Sequence, residues 1–281
     1  MPESNIPISV NFHLIKTCNE QCGYCFATFD DRRFQKQLEL DQVKQILTQL
    51  HMAGTEKITF VGGEPTLFKD LDNAIIHAKQ LGMITCLVTN GARLERLLEG
   101  CDKHLNWVAF SIDSIHEDIQ QKLGRGKGDY IKKSIRLAKI CHKLGIKVKL
   151  NTVITDLNYT EDFSWLIKTI RPKRWKVFQA LPIKGQNDGK IEKLLISSEK
   201  FQTFCTNNKH LENNKLKIIF EDNDAMTESY IMIDPDGKFF SNVDGKYVYS
   251  SPILKVGVSK AFSEIRFNID KFEKRNGKYN W

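Results

Sequence analysis

Strand-like and helix-like patterns alternate along this chain from residue 8 to about residue 181, and that alternation restricts the fold more than any other feature. Apolar strand patterns read at Val10–Ile15, Lys57–Val61, Ile84–Thr89, Trp107–Ile112, Ile146–Val153 and Trp175–Leu181. Amphipathic helical patterns fall between them, at Asp41–Met52, Leu71–Leu81, Leu94–Leu98, Tyr130–Leu144 and Thr160–Ile170. Strands that follow one another through a helix pair in parallel, with right-handed crossovers. Six such units in series predict an α/β fold, a partial (β/α)6 barrel smaller than the eightfold one. Ligands gather at the carboxyl ends of strands in such sheets. That rule sets Cys18, Gly62, Asn90, Ser111, Asn151 and Gln179 around one mouth.

Residues 1–181 thus read as the barrel core and residues 182–281 as an extension over its open side, within one compact unit. Residues 182–215 look irregular and polar, with Lys184-Gly-Gln-Asn-Asp-Gly189 as a loop. Short β patterns follow at Leu216–Phe220 and Ser229–Ile233, and Asp234-Pro-Asp-Gly237 is a hairpin turn signal before Lys238-Phe-Phe240.

A chain of 281 residues with 41% hydrophobic content can bury a full core. No apolar run approaches the ~20 residues that span a bilayer. The start, Met1-Pro-Glu-Ser-Asn-Ile-Pro7, has neither a signal peptide's pattern nor an amphipathic helix's. The expectation is a cytoplasmic monomer with no membrane contact. The formal charge of +8, from 42 basic and 34 acidic residues, favours an anionic partner: a nucleic acid, a nucleotide or an acidic redox protein. A lysine-rich solvated surface would account for much of the same excess.

Cys18, Cys22 and Cys25 stand in Thr17-Cys-Asn-Glu-Gln-Cys-Gly-Tyr-Cys-Phe26. Three thiolates at this C-x3-C-x2-C spacing can hold three irons of one [4Fe–4S] cluster. No fourth cysteine follows closely, so one iron is left to a non-protein ligand. S-adenosylmethionine (SAM) occupies such an iron in enzymes that cleave it reductively to a carbon radical. Zinc sites prefer paired knuckles and four ligands, and only His13 lies near enough to complete a Cys3His set. An odd cysteine count argues against a disulfide framework. Cys86, Cys101, Cys141 and Cys205 are scattered and read as small buried hydrophobes.

The second strand ends in Gly62-Gly-Glu-Pro65, where two glycines let backbone approach a ligand closely. Together with the cysteine run, this segment resembles the radical-SAM superfamily. Further segments resemble its viperin branch: Ser9–His13 (S-V-N-F-H), Cys25-Phe-Ala-Thr28, Ser111-Ile-Asp-Ser114 and Leu123-Gly-Arg-Gly-Lys-Gly128. Lys149-Leu-Asn-Thr-Val-Ile154, Arg174-Trp-Lys-Val-Phe-Gln179, Ser229-Tyr-Ile-Met-Ile-Asp234 and Gly277-Lys-Tyr-Asn-Trp281 extend the likeness, which runs from residue 9 to residue 281. It departs where Ser241-Asn-Val replaces a cysteine-containing segment and where the membrane-binding N-terminal helix of vertebrate viperins has no counterpart, so the chain reads as a short, prokaryotic-type relative.

The resemblance implies a radical-SAM lyase that dehydrates a ribonucleoside triphosphate to its 3′-deoxy-3′,4′-didehydro analogue, an antiviral chain terminator. CTP is the foremost substrate, with UTP and GTP as alternatives. The radical takes the ribose 4′-hydrogen, the 3′-hydroxyl leaves as water, and a flavodoxin- or ferredoxin-type donor supplies electrons from outside. No nucleic-acid partner is expected. Carried over residue by residue, the SAM contacts fall on Tyr24, Gly62, Gly63, Glu64, Asn90, Ser111 and Arg125. Arg125 is expected to meet the SAM carboxylate and Tyr24 to pack near its adenine.

A nucleoside triphosphate carries about four negative charges that need charge-assisted donors. Lys149 and Asn151 share one strand face, as do Arg174 and Lys176. Lysines and arginines facing a barrel interior are costly unless they meet an anion there. These four are the leading substrate contacts, joined by Lys127, Thr28 and Gln179, while Tyr230 is expected over the nucleotide, in the chemistry or, as an alternative, packed in the core. Trp165, Trp175 and Phe178 read as core. Two other readings use the same residues: a radical-SAM enzyme that modifies RNA or a cofactor precursor, and a zinc-bound scaffold or sensor without catalysis.

Overall fold

The computed structural model describes residues 6–30 and 37–281, so the reading made above for Met1–Asn5 lies outside the described residues. The six expected strands form as β1 (Ser9–His13), β2 (Lys57–Val61), β3 (Ile84–Thr89), β4 (Trp107–Ser111), β5 (Lys147–Ile154) and β6 (Arg174–Gln179). Each pairs in parallel with the next. Helices between them turn apolar stripes onto the sheet. In Leu40–Met52 the buried positions are Val43, Ile46, Leu47 and Leu50, a helical i, i+3, i+4, i+7 pattern. A capping box joining Glu39 and Gln42 starts that helix. Fully burying a side chain such as Ile46 contributes about 1.5–3 kcal/mol, so these stripes set which face of each helix turns inward.

Four more strands follow: β7 (Lys217–Glu221), β8 (Ile231–Ile233), β9 (Lys238–Val243) and β10 (Lys246–Pro252). The sheet order is β10-β9-β8-β1-β2-β3-β4-β5-β6-β7. The extension therefore does more than cover an open side. β7 pairs in parallel with β6 and β8 in parallel with β1, so the backbone groups that a six-stranded sheet would leave unpaired at both edges are satisfied. The Asp234–Gly237 turn does form a hairpin, and β8 and β9 pair antiparallel. Residues 182–215 are not irregular throughout: Ser198–Asn208 is a helix, capped by Ser197 and buried through Phe201, Phe204 and Cys205.

The sheet is curled. β6 and β8 are six strand spacings apart in the order above, roughly 29 Å in a flat sheet. Yet Lys176 Nζ on β6 lies 2.5 Å from the hydroxyl of Tyr230, the residue before β8. The result is an open barrel around one cavity. Among the described residues, no helix is long and apolar enough to cross a membrane.

Candidate active site

Alternation along the strands decides what the cavity contains. Ser9, Asn11 and His13 of β1, Lys57, Thr59 and Val61 of β2, Lys149, Asn151 and Val153 of β5, and Arg174, Lys176 and Phe178 of β6 all line it. Their neighbours point outward into the core, including Val10, Phe12, Ile58 and Phe60 at 0% exposure. The interior is thus polar and cationic toward the strand starts. The cysteines stand beyond the strand ends, since Cys18, Cys22 and Cys25 in the β1 exit loop line the same cavity.

Glycines clamp that loop from two sides. A Cβ on Gly63 would meet the carbonyl oxygens of Lys16 and Thr17 at 2.4 Å, and one on Gly124 would meet Gln21 O at 2.2 Å. Gly63 N donates to Ile15 O (2.6 Å), Glu64 N to Thr17 O (2.9 Å) and Gln21 N to Gly124 O (3.0 Å). The close approach expected of Gly63 is therefore made to the cysteine loop itself. The Leu123–Gly128 run does the same from the other side.

The three cysteines are free thiols. Burial, and then its neighbours Cys22 and Cys18, push Cys25 up to about 12; burial also raises Cys18 and Cys22. Such thiols ionise when a multivalent cation takes them as ligands, and three thiolate donors on one wall fit an iron–sulfur cluster. A Cys3His zinc set fits less well. His13 stands at 5.3 Å from the Phe29 ring and 5.4 Å from the Phe240 ring, and among the described residues no three ligand-type side chains converge as a single ion requires.

Behind the cysteines runs a buried network. Arg125 Nε donates to Asp113 Oδ2 (2.7 Å), Arg125 Nη2 to the Tyr24 hydroxyl (2.8 Å), and that hydroxyl donates to Asp113. Arg125 Nη1 reaches Tyr130 Oη (3.2 Å), which donates to Ser111 O (2.6 Å). Arg125 is thus already paired with a carboxylate, although its fork retains further N–H groups toward the cavity it lines. Glu64 is occupied as well. Its carboxylate accepts from Thr66 N, Thr66 Oγ1, Thr89 Oγ1 and Asn90 N, at 2.6–3.0 Å. Glu64 therefore ties the β2 and β3 exits together and aims Asn90, whose amide reaches Cys18 Sγ at 3.8 Å.

At the opposite end, Lys57, Lys149, Arg174, Lys176 and Arg275 all line the cavity. Among the described residues one carboxylate is ion-paired with them: Glu221 at the end of β7, 0% exposed, paired with Lys176 and accepting from Tyr230 Oη at 2.5 Å. Arg275 stacks on the Tyr230 ring at 3.7 Å. Burial, with smaller like-charge contributions, lowers Lys57 to about 7 and Lys149 to about 8. Burial would raise the Glu221 carboxyl, but Lys176 and Arg275 outweigh it and hold it low. Five buried or part-buried basic groups around one carboxylate make an anion site that its own side chains do not neutralise. Asn151 Oδ1, Asn242 Oδ1 and Arg174 Nε are buried there with no hydrogen-bond partner among the described residues.

The structure does not bring every expected residue to this cavity. Lys127 is exposed on the Gly-rich loop, outside the lining. Thr28 Oγ1 donates to Gln186 O (2.8 Å), fixing the loop after the cysteines rather than lining the cavity. Gln179 lines the wall, but its amide is engaged by Ile196 O and Asn223 N. Trp165 is 54% exposed rather than core, Trp175 is fully buried, and Phe178 faces the cavity. Sequence reasoning missed Lys57, Asp113, Glu221 and Arg275. The period-two rule could have found Lys57, in step with Thr59 and Val61. Arg275 carries no such signal, since only the fold brings it to β6.

Comparison with known proteins follows this geometry. The Radical SAM superfamily matches residues 13–171. An S-adenosylmethionine-dependent nucleotide dehydratase of Flammeovirga pacifica is 43% identical over 286 residues, spanning 99% of this chain and 97% of its own length. The S-adenosylmethionine-dependent nucleotide dehydratase RSAD2 of Oncorhynchus mykiss is 33% identical across 99% of this chain and 82% of its own. A solved structure described as native anSMEcpe with bound AdoMet superposes with a TM-score of 0.68 over 96% of this chain and 82% of that one, at 16% identity, a likeness of fold.

Proposed function

Because the chain belongs to the radical SAM superfamily and, within it, to the SAM-dependent nucleotide dehydratases or viperins, we propose that it dehydrates a ribonucleoside triphosphate, CTP foremost and UTP or GTP next, to the 3′-deoxy-3′,4′-didehydro analogue. The observation that carries this reading is the polarity of the cavity, with three cysteines at one end and five basic side chains at the other. Cys18, Cys22 and Cys25 would hold a [4Fe–4S] cluster, which with SAM would supply a 5′-deoxyadenosyl radical able to take the ribose 4′-hydrogen, and loss of water from C3′ with one further electron and a proton would balance the dehydration.

The chain's own residues orient and enclose. Lys57, Lys149, Arg174, Lys176 and Arg275 would take the phosphates, which leaves the ribose nearer the cysteines. The donor-starved Asn151 and Asn242 oxygens would accept from ribose hydroxyls and from an exocyclic amine such as cytosine's. Asn90, Ser111 and Arg125, which line the cavity together with the cysteines, would bind SAM, and Tyr24, held beside Asp113, would pack against it. Such positioning and water exclusion are the protein's share of radical catalysis. Electrons would come from a small flavodoxin- or ferredoxin-type protein, and the enzyme would act as a cytoplasmic monomer.

Anaerobic incubation with SAM, dithionite and each ribonucleoside triphosphate in turn tests the reading by mass spectrometry. The expected result is one nucleotide, CTP, converted to a species lighter by one water. No such species from any of the four, with RNA modified instead, would favour the RNA-directed alternative.

Binding should also take up protons. With Lys57 near 7 and Lys149 near 8 in the free protein, both are largely neutral above those values, and a polyanion recharges them. Triphosphate affinity should therefore fall as pH rises from about 7 to about 9, with up to about one proton taken up per lysine. The same depressed values mean that the unfolded chain holds more protons in this window, so ligand-free stability should rise with pH there. Calorimetry in two buffers of different ionisation enthalpy reads the proton count; none taken up would remove these lysines from the anion site.

A further inference from the structure

The segment Gly277–Trp281 runs beneath the barrel, at the starts of the strands. The chain is bent into this place by Asn276, at φ 53°, and by Gly277, where a Cβ would meet the Phe272 ring at 2.3 Å and its carbonyl oxygen at 2.6 Å. Arg174 Nη2 donates to Asn276 O (2.6 Å), and Lys278 pairs with Glu56 (3.2 Å). From there the Tyr279 ring touches the first residues of three strands. The Arg174 guanidinium lies 4.0 Å from its centroid, the Trp107 ring meets it edge-on at 5.8 Å, and Lys57 Nζ reaches its hydroxyl at 3.3 Å. Trp281 packs edge-on against Tyr279 at 5.1 Å and places its own ring 4.5 Å from Lys57 Nζ. Among the described residues, neither Lys57 nor Arg174 is ion-paired with a carboxylate; aromatic faces hold both.

We propose that Tyr279 and Trp281 are positioning residues that fix Lys57 and Arg174 on a closed floor, so that the site measures the length of its substrate's phosphate chain. This rests on the polyphosphate reading above and deepens it. The floor lies at a set depth: Lys57 and Arg174 open their strands, whereas the cysteines stand past the strand ends, so about four residues of β2, roughly 13 Å, separate the two levels. A nucleotide with its ribose at the cysteine level spans that depth only through its outer phosphates. A monophosphate stops short of Lys57 and Arg174. Without the rings, two long side chains would regain their rotamers and water would enter beneath them, so the outer phosphate would lose its fixed partners.

The test measures calorimetric binding of CTP, CDP, CMP and SAM to the anaerobic holoenzyme and to Tyr279→Leu and Tyr279→Phe. Tyr279→Leu should weaken CTP about tenfold or more while CMP and SAM stay within about twofold, compressing the CTP-to-CMP ratio. Tyr279→Phe keeps the ring over Arg174 and should hold CTP within about threefold of the parent. Unchanged CTP binding in Tyr279→Leu, or equal losses for CTP, CMP and SAM, would overturn the proposal; the second outcome would mark the segment as structural only. A parent enzyme that binds CTP no better than CMP would instead overturn the polyphosphate reading itself.

Discussion

Replacing Cys22 with Ala should leave a folded protein that binds no cluster and cleaves no SAM. The side chain is part-buried, packing beside Tyr24 and Leu123, and Sγ makes a long approach to Gly124 O at 3.9 Å and a contact with the Tyr24 hydroxyl, which keeps Asp113 and Arg125 as partners. Its loss should cost about 1 kcal/mol of stability, since one sulfur's worth of packing goes and no buried polar partner is stranded. The functional loss is complete because two thiolates leave two irons, not one, without a protein ligand. Iron and sulfide assays after anaerobic reconstitution, absorbance near ~400 nm and 5′-deoxyadenosine release read the result. Brown protein that still turns over would remove the cysteine loop from the cluster.

The second large effect separates stability from binding. Lys176→Met strands the Glu221 carboxylate at 0% exposure, and an unpaired buried charge costs about 3–5 kcal/mol. Adding Glu221→Gln should recover most of that cost in chemical denaturation, since the carboxylate charge is gone and Tyr230 keeps a hydrogen-bond partner. CTP binding should not recover. A charge-assisted contact contributes about 1.5–3 kcal/mol, so affinity should fall about ten- to a hundredfold in both variants. SAM binding should stay near the parent's. A double variant that regains both stability and CTP affinity would make Lys176 a structural partner of Glu221 and nothing more.

How far the sequence foretold this follows from the range of its signals. β2 and β3 fall at the expected residues, because a short apolar run between glycine-ended helices is local information. The Asp234–Gly237 hairpin was legible for the same reason. So was the start of β10: Asp244-Gly245, with φ of 52° and 72°, is the type I′ signature between Val243 and Lys246. The helix Ser198–Asn208 was hidden because Phe201, Phe204 and Cys205 are followed at the next buried position by polar Asn208, which breaks the apolar stripe. Asn208 is there to donate to Glu161 O and to accept from Phe163 N, a tertiary demand with no sequence period.

The site divides the same way. The cysteines and the Lys149, Asn151, Arg174 and Lys176 faces follow from spacing, and all seven residues line one cavity. The Asp113 partner of Arg125, twelve residues earlier, carried no sequence signal, because only the folded chain sets that carboxylate against the guanidinium. The four donors that meet the Glu64 carboxylate, from Thr66, Thr89 and Asn90, carried no such signal either. The contact of Gly124 with the cysteine loop was not legible, since only the folded chain places Gly124 against Gln21. Glu221 and Arg275 reach Lys176 and Tyr230 only because β7 and the segment after Asn268 close on β6 and β8.

The most direct measurement follows one hydrogen. With CTP deuterated at C4′, SAM and a reductant, the account predicts that the released 5′-deoxyadenosine carries one deuterium and appears faster with CTP than without it. Unlabelled 5′-deoxyadenosine formed at the same rate whether or not CTP is present would contradict it, because the ribose would then never have been held beside the cysteine end of the cavity.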